Sequence, residues 1–331
     1  MKILVLGGAG YIGSHTVYRL IEQGHKVVVF DNFETGYYEA IHPDAEVYEG
    51  DLRNRADIDN VFDEESDIDA VIHFAANSLV GESMVKPLKY YDNNICGTKV
   101  LLESMVAHNI NRIVFSSTAA TYGEPIHTPI LENDPTNPTN CYGETKRAME
   151  RMFYWTEQAH GMKYVSLRYF NACGAHISGK IGEAHNPESH LIPIILQTAN
   201  GTRDHISVFG TDYDTPDGTC IRDYIHVTDL AQAHILAVEY LINGGESDIF
   251  NLGNGVGFSV KEVIETAKKV TGKEIKVVEE NRRAGDPAVL IASSEKAKKV
   301  LGWNPQYNEL STIIETAWKW HSTHPNGYKS N

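Results

Sequence analysis

A chain of 331 residues, 42% of them hydrophobic and 22% charged, has an ordinary globular composition and room for one large domain or two intimate ones. Its formal charge of −15, from 29 basic and 44 acidic residues, argues against nucleic acid or an anionic membrane as the main partner. Cys96, Cys141, Cys173 and Cys220 are scattered without a C-x-x-C pair, and the histidines show no ligand spacing, so neither a disulfide framework nor a metal site is expected. The first strand begins at Lys2 with no cleavable signal before it, and no apolar run approaches the ~20 residues that span a bilayer. A reducing cytoplasm is the expected compartment.

The opening KILVLGGAGYIGSHTVYRLIEQG reads as a buried strand over Lys2–Leu6, a glycine turn and an amphipathic helix ending near Gly24. Gly7, Gly10 and Gly13 are spaced G-x-x-G-x-x-G. Glycines there let the backbone approach a pyrophosphate, while the helix start at Tyr11 and Ile12 supplies free N–H groups and the positive end of the helix dipole. KVVVFDN then gives a second buried strand ending at Asp31, with Asn32 beside it. A carboxylate at that place accepts hydrogen bonds from a ribose 2′-hydroxyl and repels a 2′-phosphate, which favours NAD over NADP; loop capping is the alternative role for Asp31.

Further strands are predicted in EVYEGDL (46–52, ending at Asp51), DAVIHFAA (69–76), RIVFSSTAATYG (112–123) and YVSLRYFNACG (164–174), with helices over 54–65, 88–108 and 143–160 between them. Such alternation predicts an α/β fold with a Rossmann-type doubly wound parallel sheet, its ligands lying beyond the C-terminal strand ends. Asp31, Asp51, Ala75, Ser116 and Asn171 fall on that rim. After about residue 175 the alternation stops, and a smaller interleaved α/β lobe for substrate is expected. DIFNLGNG (248–255) reads as a strand rejoining the main body, and SVKEVIETAKKVTG as a helix with a Ser259–Glu262 capping box. The division expected is 1–174 plus about 225–255 for the cofactor and about 175–224 plus 256–331 for the substrate.

NPTNCYGETKRAMERMF places Tyr142 and Lys146 four apart on one helix. Alone, such a pair reads as a solvated surface contact. Behind the FSST strand end, which carries Thr118, Tyr-x-x-x-Lys resembles the short-chain dehydrogenase/reductase superfamily; the glycine turn and chain length resemble its extended branch. GGAGYIGSHT, YYDNN, FSSTAATYGEP, NPTNCYGETK, LRYFNACGAH, DGTCIRDYIHV and RRAGDPA, spread from residue 1 to about 327, narrow the resemblance to the nucleotide-sugar 4-epimerases acting on UDP-glucose and UDP-galactose.

That resemblance implies oxidation of the sugar's C4 by NAD, rotation of the 4-keto sugar, and return of hydride to its other face. Tyr142 is implied as the base. Its reference pKa of about 10 would be lowered by two positive charges, the Lys146 ammonium and the nicotinamide ring. Lys146 would also bond the nicotinamide ribose, and Thr118 would pass or hold the substrate proton. Asp51 and Leu52 are implied at the adenine end, Asp31 and Asn32 at its ribose, and Phe74, Ala75 and Asn93 along the nicotinamide side, with Tyr169 also counted as a cofactor contact. Plain core packing explains Phe74 and Ala75 equally well. Ser78 stands where some relatives carry a phosphate-binding lysine.

Arg222 and Arg283 are implied as diphosphate clamps, since a guanidinium fork matches phosphate oxygens; alone, either reads as a surface ion-pair partner. Phe170, Asn171, His190, Leu191, Phe209, Tyr224 and Asp286 are implied near the nucleotide or sugar. Leu290 stands where a tyrosine excludes the 2-acetamido group in some relatives, which implies that N-acetylated UDP-hexosamines are also accepted. A homodimer is implied through helices 88–108 and 143–160, with Leu102, Met105, Met149, Met152 and Phe153 as its apolar surface or, alternatively, as ordinary core. The rivals are a nucleotide-sugar 4,6-dehydratase, a uronate epimerase or decarboxylase, and a non-catalytic NAD-binding regulator. A dehydratase needs an acidic pair after Thr118, where this chain has Ala119 and Ala120; a regulator would be marked by loss of Tyr142, Lys146 or the hydroxyl at 118, and all three are present.

Overall fold

The computed structural model describes residues 1–283 and 286–328; Ala284 and Gly285 of the RRAGDPA string, and positions 329–331, lie outside them. The first half alternates strand and helix: β1 (Lys2–Leu6), α1 (Tyr11–Glu22), β2 (Lys26–Asp31), β3 (Glu46–Glu49), α2 (Arg55–Glu64), β4 (Ala70–His73), α3 (Val80–Val85), α4 (Pro87–Tyr90), α5 (Gly97–Ala107), β5 (Arg112–Ser116), α6 (Cys141–His160) and β6 (Lys163–Tyr169). The second half starts with β7 (Asn171–Cys173), α7 (Leu191–Asn200), β8 (Ile206–Phe209), β9 (Ile221–Arg222), β10 (Tyr224–His226), α8 (Val227–Ile242) and β11 (Asp248–Leu252). It closes with β12 (Phe258–Ser259), α9 (Val260–Thr271), β13 (Val277–Glu280), β14 (Val289–Leu290), α10 (Glu295–Leu301) and α11 (Leu310–Thr323).

The main sheet has seven strands in the order β11-β6-β5-β4-β1-β2-β3, every neighbouring pair parallel. Side chains alternate between its faces. Ile3, Val5, Val27 and Val29 pack with α1 and α8, while Leu4, Leu6, Val28 and Phe30 pack with α2, α5 and α6. With both faces covered, these strands need continuous apolar runs rather than alternating ones. The chain runs outward from β1 to β3, then restarts on the other side at β4, so the crevice between β1 and β4 is the topological switch point where such sheets bind ligands.

Three smaller sheets, β10-β7, β12-β9-β14 and β13-β8, form the second lobe around a core from α7, α9 and α11. The backbone leaves the main sheet after Tyr169 and immediately pairs as β7 with β10, while β11 returns to pair with β6. Among the described residues no helix is long and apolar enough to cross a membrane.

Two elements differ from expectation. β3 stops at Glu49 because Gly50 lies against the Phe30 ring, where a Cβ would stand 2.7 Å from a ring carbon, and the Asp51 N–H turns to the Asp57 carboxylate at 2.9 Å. The helix expected over 88–108 is broken into α4, a π-turn at Tyr91–Cys96, and α5; such turns re-aim side chains, and this one carries Asn93 and Asn94. Leu102, Met105, Met149 and Phe153 are buried in the core under the sheet, so they are not an association surface; Met152 packs at that core's edge.

Beneath the β5 end, Arg168 on β6 holds Glu150 on α6 bidentately at 2.9 and 2.6 Å, and the Ser117 hydroxyl donates to the same carboxylate at 2.6 Å. Both charged side chains are almost wholly buried. Breaking such a pair leaves an uncompensated charge in the interior, so Glu150→Ala is expected to cost about 3–5 kcal/mol of stability in urea unfolding. A change within experimental error would mean that water reaches the pair.

Candidate active site

The glycine turn is dictated by close approaches. Gly7 has φ 78°, and a Cβ on it would lie 2.7 Å from the Ala75 nitrogen at the end of β4; a Cβ on Gly13 would lie 2.1 Å from the Gly7 carbonyl oxygen. Gly10 caps α1 without any side-chain hydrogen bond, leaving the N–H groups of Tyr11, Ile12 and Gly13 uncapped by side chains at the switch-point crevice. That is an anion cradle suited to a pyrophosphate. Asp31 accepts N–H bonds from Ala9 and Phe33, both at 2.9 Å, so it does cap the loop. Each carboxylate oxygen retains a second lone pair, which a ribose hydroxyl can use. Burial pushes its pKa up, against those backbone bonds. Asn32 donates to Asp51 at 3.1 Å, and Arg53 also grips Asp51, so these polar groups gather at the β2–β3 rim. This cradle fits NAD.

Not every expected cofactor residue presents its side chain. The Tyr11 hydroxyl donates to the Gly174 carbonyl at 2.7 Å, tying α1 to the start of the second lobe, and Leu52 is buried in the core. Tyr169 is hydrogen-bonded to Ser116, Phe74 packs against His234 with ring centroids 4.6 Å apart, and Phe74 and Ala75 are both partly buried at the rim. Asn93 donates to Asn94 at 3.1 Å. Asn94 itself is fully buried and bonds Thr145 on α6 as well as the backbone of Asn77. Sequence reasoning missed this clamp between the β4 loop and α6, because a buried asparagine reads like a surface one.

Thr118 follows β5 and its hydroxyl accepts the Ala120 N–H at 3.1 Å. Asn140 caps α6 by accepting the Gly143 N–H at 2.8 Å, and the Tyr142 N–H donates to Ser83 at 3.1 Å, so the helix start is fixed from both sides. Lys146 is 3% exposed; its ammonium donates to the Ser116 carbonyl at 2.9 Å and lies 4.8 Å from the Phe115 ring centroid and 5.8 Å from that of Tyr142. Burial draws Lys146 down to about 7, with the Glu150 carboxylate opposing. Burial likewise pushes Tyr142 up to about 12, with the Thr118 hydroxyl pulling the other way. Burial thus works against a phenolate at Tyr142, and the Thr118 hydrogen bond works for it. Burial likewise opposes the Lys146 charge, and the Glu150 carboxylate favours it.

In the second lobe, Arg222 donates to Asp286 at 2.5 Å, and the Arg283 guanidinium lies 3.9 Å above the Phe209 ring. The Asp286 N–H reaches the Arg283 carbonyl at 3.3 Å, so these four residues form one group. Asn171 donates to the Asp223 carbonyl at 2.9 Å, and Phe170 and Leu290 share an apolar cluster with Ala119, Tyr122 and Ile130, next to Thr118. Tyr224 is buried in the second-lobe core, Leu191 packs against that core at the start of α7, and His190, just before it, turns to Glu183. Sequence reasoning also missed Asp223, which is wholly buried and takes N–H bonds from Asn254, Gly255 and Ala292, binding three segments of the lobe together.

The profile of the NAD dependent epimerase/dehydratase family matches residues 3–253. The UDP-glucose 4-epimerase of Halalkalibacterium halodurans is 59% identical over 330 residues, covering 100% of this chain and 98% of its own. A crystal structure of a UDP-glucose 4-epimerase, 56% identical, superposes with a TM-score of 0.98 over 100% of both chains. The UDP-Glc/GlcNAc 4-epimerase of Campylobacter jejuni is 43% identical with a TM-score of 0.86, covering 97% of this chain and 99% of that one.

Lys146 gives NAD-free protein a distinctive pH dependence. Its folded pKa of about 7 lies below its ordinary 10.5, so between those values the unfolded chain binds more protons and stability rises with pH. The cost of burying the ammonium is therefore largest at low pH. Lys146→Met should stabilise the NAD-free fold most near about pH 6, and the gain should shrink toward about pH 10. Urea unfolding at several pH values measures this, and a pH-independent difference would place the ammonium in solvent.

Proposed function

Because this chain belongs to the NAD dependent epimerase/dehydratase family and interconverts UDP-galactose and UDP-glucose with NAD as cofactor, we propose that Tyr142 is the acid–base residue of that reaction, supported by Thr118 and Lys146. The observation that carries this reading is the meeting of all three at the C-terminal end of β5, beside the glycine cradle, with Lys146 buried against the Ser116 carbonyl. Bound NAD supplies the reversible hydride acceptor that an unactivated C4–H bond requires. Tyr142 takes the proton of the sugar's 4-hydroxyl and later returns it. Thr118 holds that hydroxyl by hydrogen bond. Lys146 would hold the nicotinamide ribose, and its ammonium would favour the phenolate.

Ala119 and Ala120 follow Thr118 and offer no group to take a C5 proton or protonate a leaving hydroxyl. This favours turnover of the 4-keto sugar over dehydration. Arg222 and Arg283 hold the diphosphate while the hexose pivots, with Asp286 releasing one face of Arg222 to phosphate. NAD is assigned to residues 1–174 plus about 225–255, and the UDP-sugar to about 175–224 plus 256–331; the seven-stranded sheet lies wholly in the first part, and the small β10-β7 sheet sits at the boundary.

The packing of Leu290 with Phe170 and Ala119, next to Thr118, supports a place for it at the sugar, and its modest size supports acceptance of UDP-N-acetylhexosamines. A homodimer is also proposed, now through the exposed Met84, Val85 and Leu88 on α3 and α4 rather than through the buried α5 and α6 residues. Four cysteines without disulfides suit a reducing cytoplasm.

Purified protein given UDP-galactose without added NAD should form UDP-glucose, read from the anomeric protons by NMR. Tyr142→Phe should slow this by about 10²–10⁴-fold, the range of general acid–base catalysis; an unimpaired variant would remove Tyr142 from the chemistry. UDP-N-acetylgalactosamine should also turn over, and Leu290→Tyr should lose it before losing UDP-galactose. Failure of the parent enzyme to act on the acetamido sugar would refute the role given to Leu290.

A further inference from the structure

Four metal-ligating side chains gather in the segment between β7 and α7. Glu183, His185, Glu188 and His190 each place one donor atom within 4.8 Å of the others. The side chains of Glu183 and Glu188 are only 2% and 5% exposed, so two carboxylates stand out of water side by side. Burying a carboxylate is costly by several kcal/mol unless a cation faces it. Among the described residues their ion-pair partners are only His185 and His190; no lysine or arginine reaches them.

The geometry is that of ligands converging on one point. His185 Nδ1 lies 3.1 Å from Glu183 Oε1 and 3.8 Å from Glu188 Oε1, yet it is buried without an aligned hydrogen-bond partner. Donors about 2.0–2.1 Å from a tetrahedral zinc ion stand about 3.3 Å apart, and the two observed separations bracket that edge. His190 approaches the same Glu183 oxygen, and its ring is nearly perpendicular to that of His185, at 87° with centroids 5.1 Å apart. The outer groups are fixed too. Glu188 Oε1 accepts the N–H groups of Ser189 and His190 at 2.8 and 2.9 Å, and Trp320 donates to the Glu183 carbonyl at 3.2 Å.

We propose that Glu183, His185, Glu188 and His190 form a closed, four-coordinate site for a divalent cation of the zinc type, which fastens the loop before α7 beside the cofactor turn. The donor set of two imidazoles and two carboxylates suits zinc, and four protein ligands leave no open position for chemistry. The site lies against the cofactor turn through Tyr11, whose ring meets His185 edge-on at 6.0 Å. Its test reads bound metal rather than epimerase turnover, so it stands or falls by its own readout.

The test is equilibrium dialysis of the purified chain, stripped with EDTA and returned to a range of zinc concentrations, with metal counted by mass spectrometry. One zinc per chain is expected, with affinity weakened about 100-fold or more in Glu183→Gln and in His185→Asn, and with a thermal midpoint that rises with zinc only in the parent. Cobalt in place of zinc should give tetrahedral visible bands without thiolate charge transfer, which separates this site from the four free cysteines. No zinc retained, equal retention by both variants, or a thiolate spectrum would overturn the proposal. Circular dichroism and NAD content confirm that the variants fold; should they not, the parent's cobalt spectrum decides alone.

Discussion

An ammonium buried at position 146 is the constraint around which the rest of the site is arranged. With Nζ held by the Ser116 carbonyl and roofed by Phe115, Lys146 is deprived of water and has no acidic partner nearer than Glu150, one turn along α6. That carboxylate is itself committed to Arg168 and Ser117. The same burial that weakens the lysine's charge raises Tyr142. Burial thus opposes the charged form of both groups. A cation docking beside Tyr142 would favour its phenolate, so the proposed base would be most readily ionised while the oxidant is present.

The framework that holds this arrangement was largely legible in the sequence. Continuous apolar runs such as ILVL and KVVVF can only be strands covered on both faces, and the glycine spacing at 7, 10 and 13 marks a turn where Cβ atoms would collide with Gly7 and Ala75. Tyr142, Lys146 and Thr118 stood out only through the family resemblance, since the spacing alone reads as a surface contact, and the structure brings the three to the end of β5. Three kinds of feature were not legible. Breaks in regular structure, such as the π-turn before α5, depend on tertiary packing. Buried polar clamps, Asn94 and Asp223 among them, look like surface residues until their hydrogen bonds are seen. Side-chain direction was the third: Leu102, Met105 and Met149 have the right residue types for an association surface but face the sheet.

The two lobes differ in their chemistry, which suits the division of labour proposed above. The large sheet presents backbone N–H groups and the Asp31 carboxylate at the switch point, which suits a cofactor that stays in place. The small lobe presents Arg222 and Arg283 on short strands and loops, held by Asp286 and Phe209. An arginine fork grips a diphosphate strongly while leaving the attached hexose untouched. Phe170, Leu290 and Ala119 form an apolar cluster with no directional bonds, a surface suited to the turning keto-sugar proposed above.

The coupling between cofactor and base is the claim on which this account rests, and the ionisation of Tyr142 tests it most directly. Tyrosinate absorbance would be followed as pH rises, as the difference between the parent and Tyr142→Phe, first in NAD-free protein and then with oxidised NAD bound. The account predicts that Tyr142 stays protonated through about pH 10 without the cofactor, in line with its raised pKa of about 12, and ionises well below its ordinary pKa of 10 with it. The same ionisation in both states would contradict it, and would mean that the base is prepared by the protein alone.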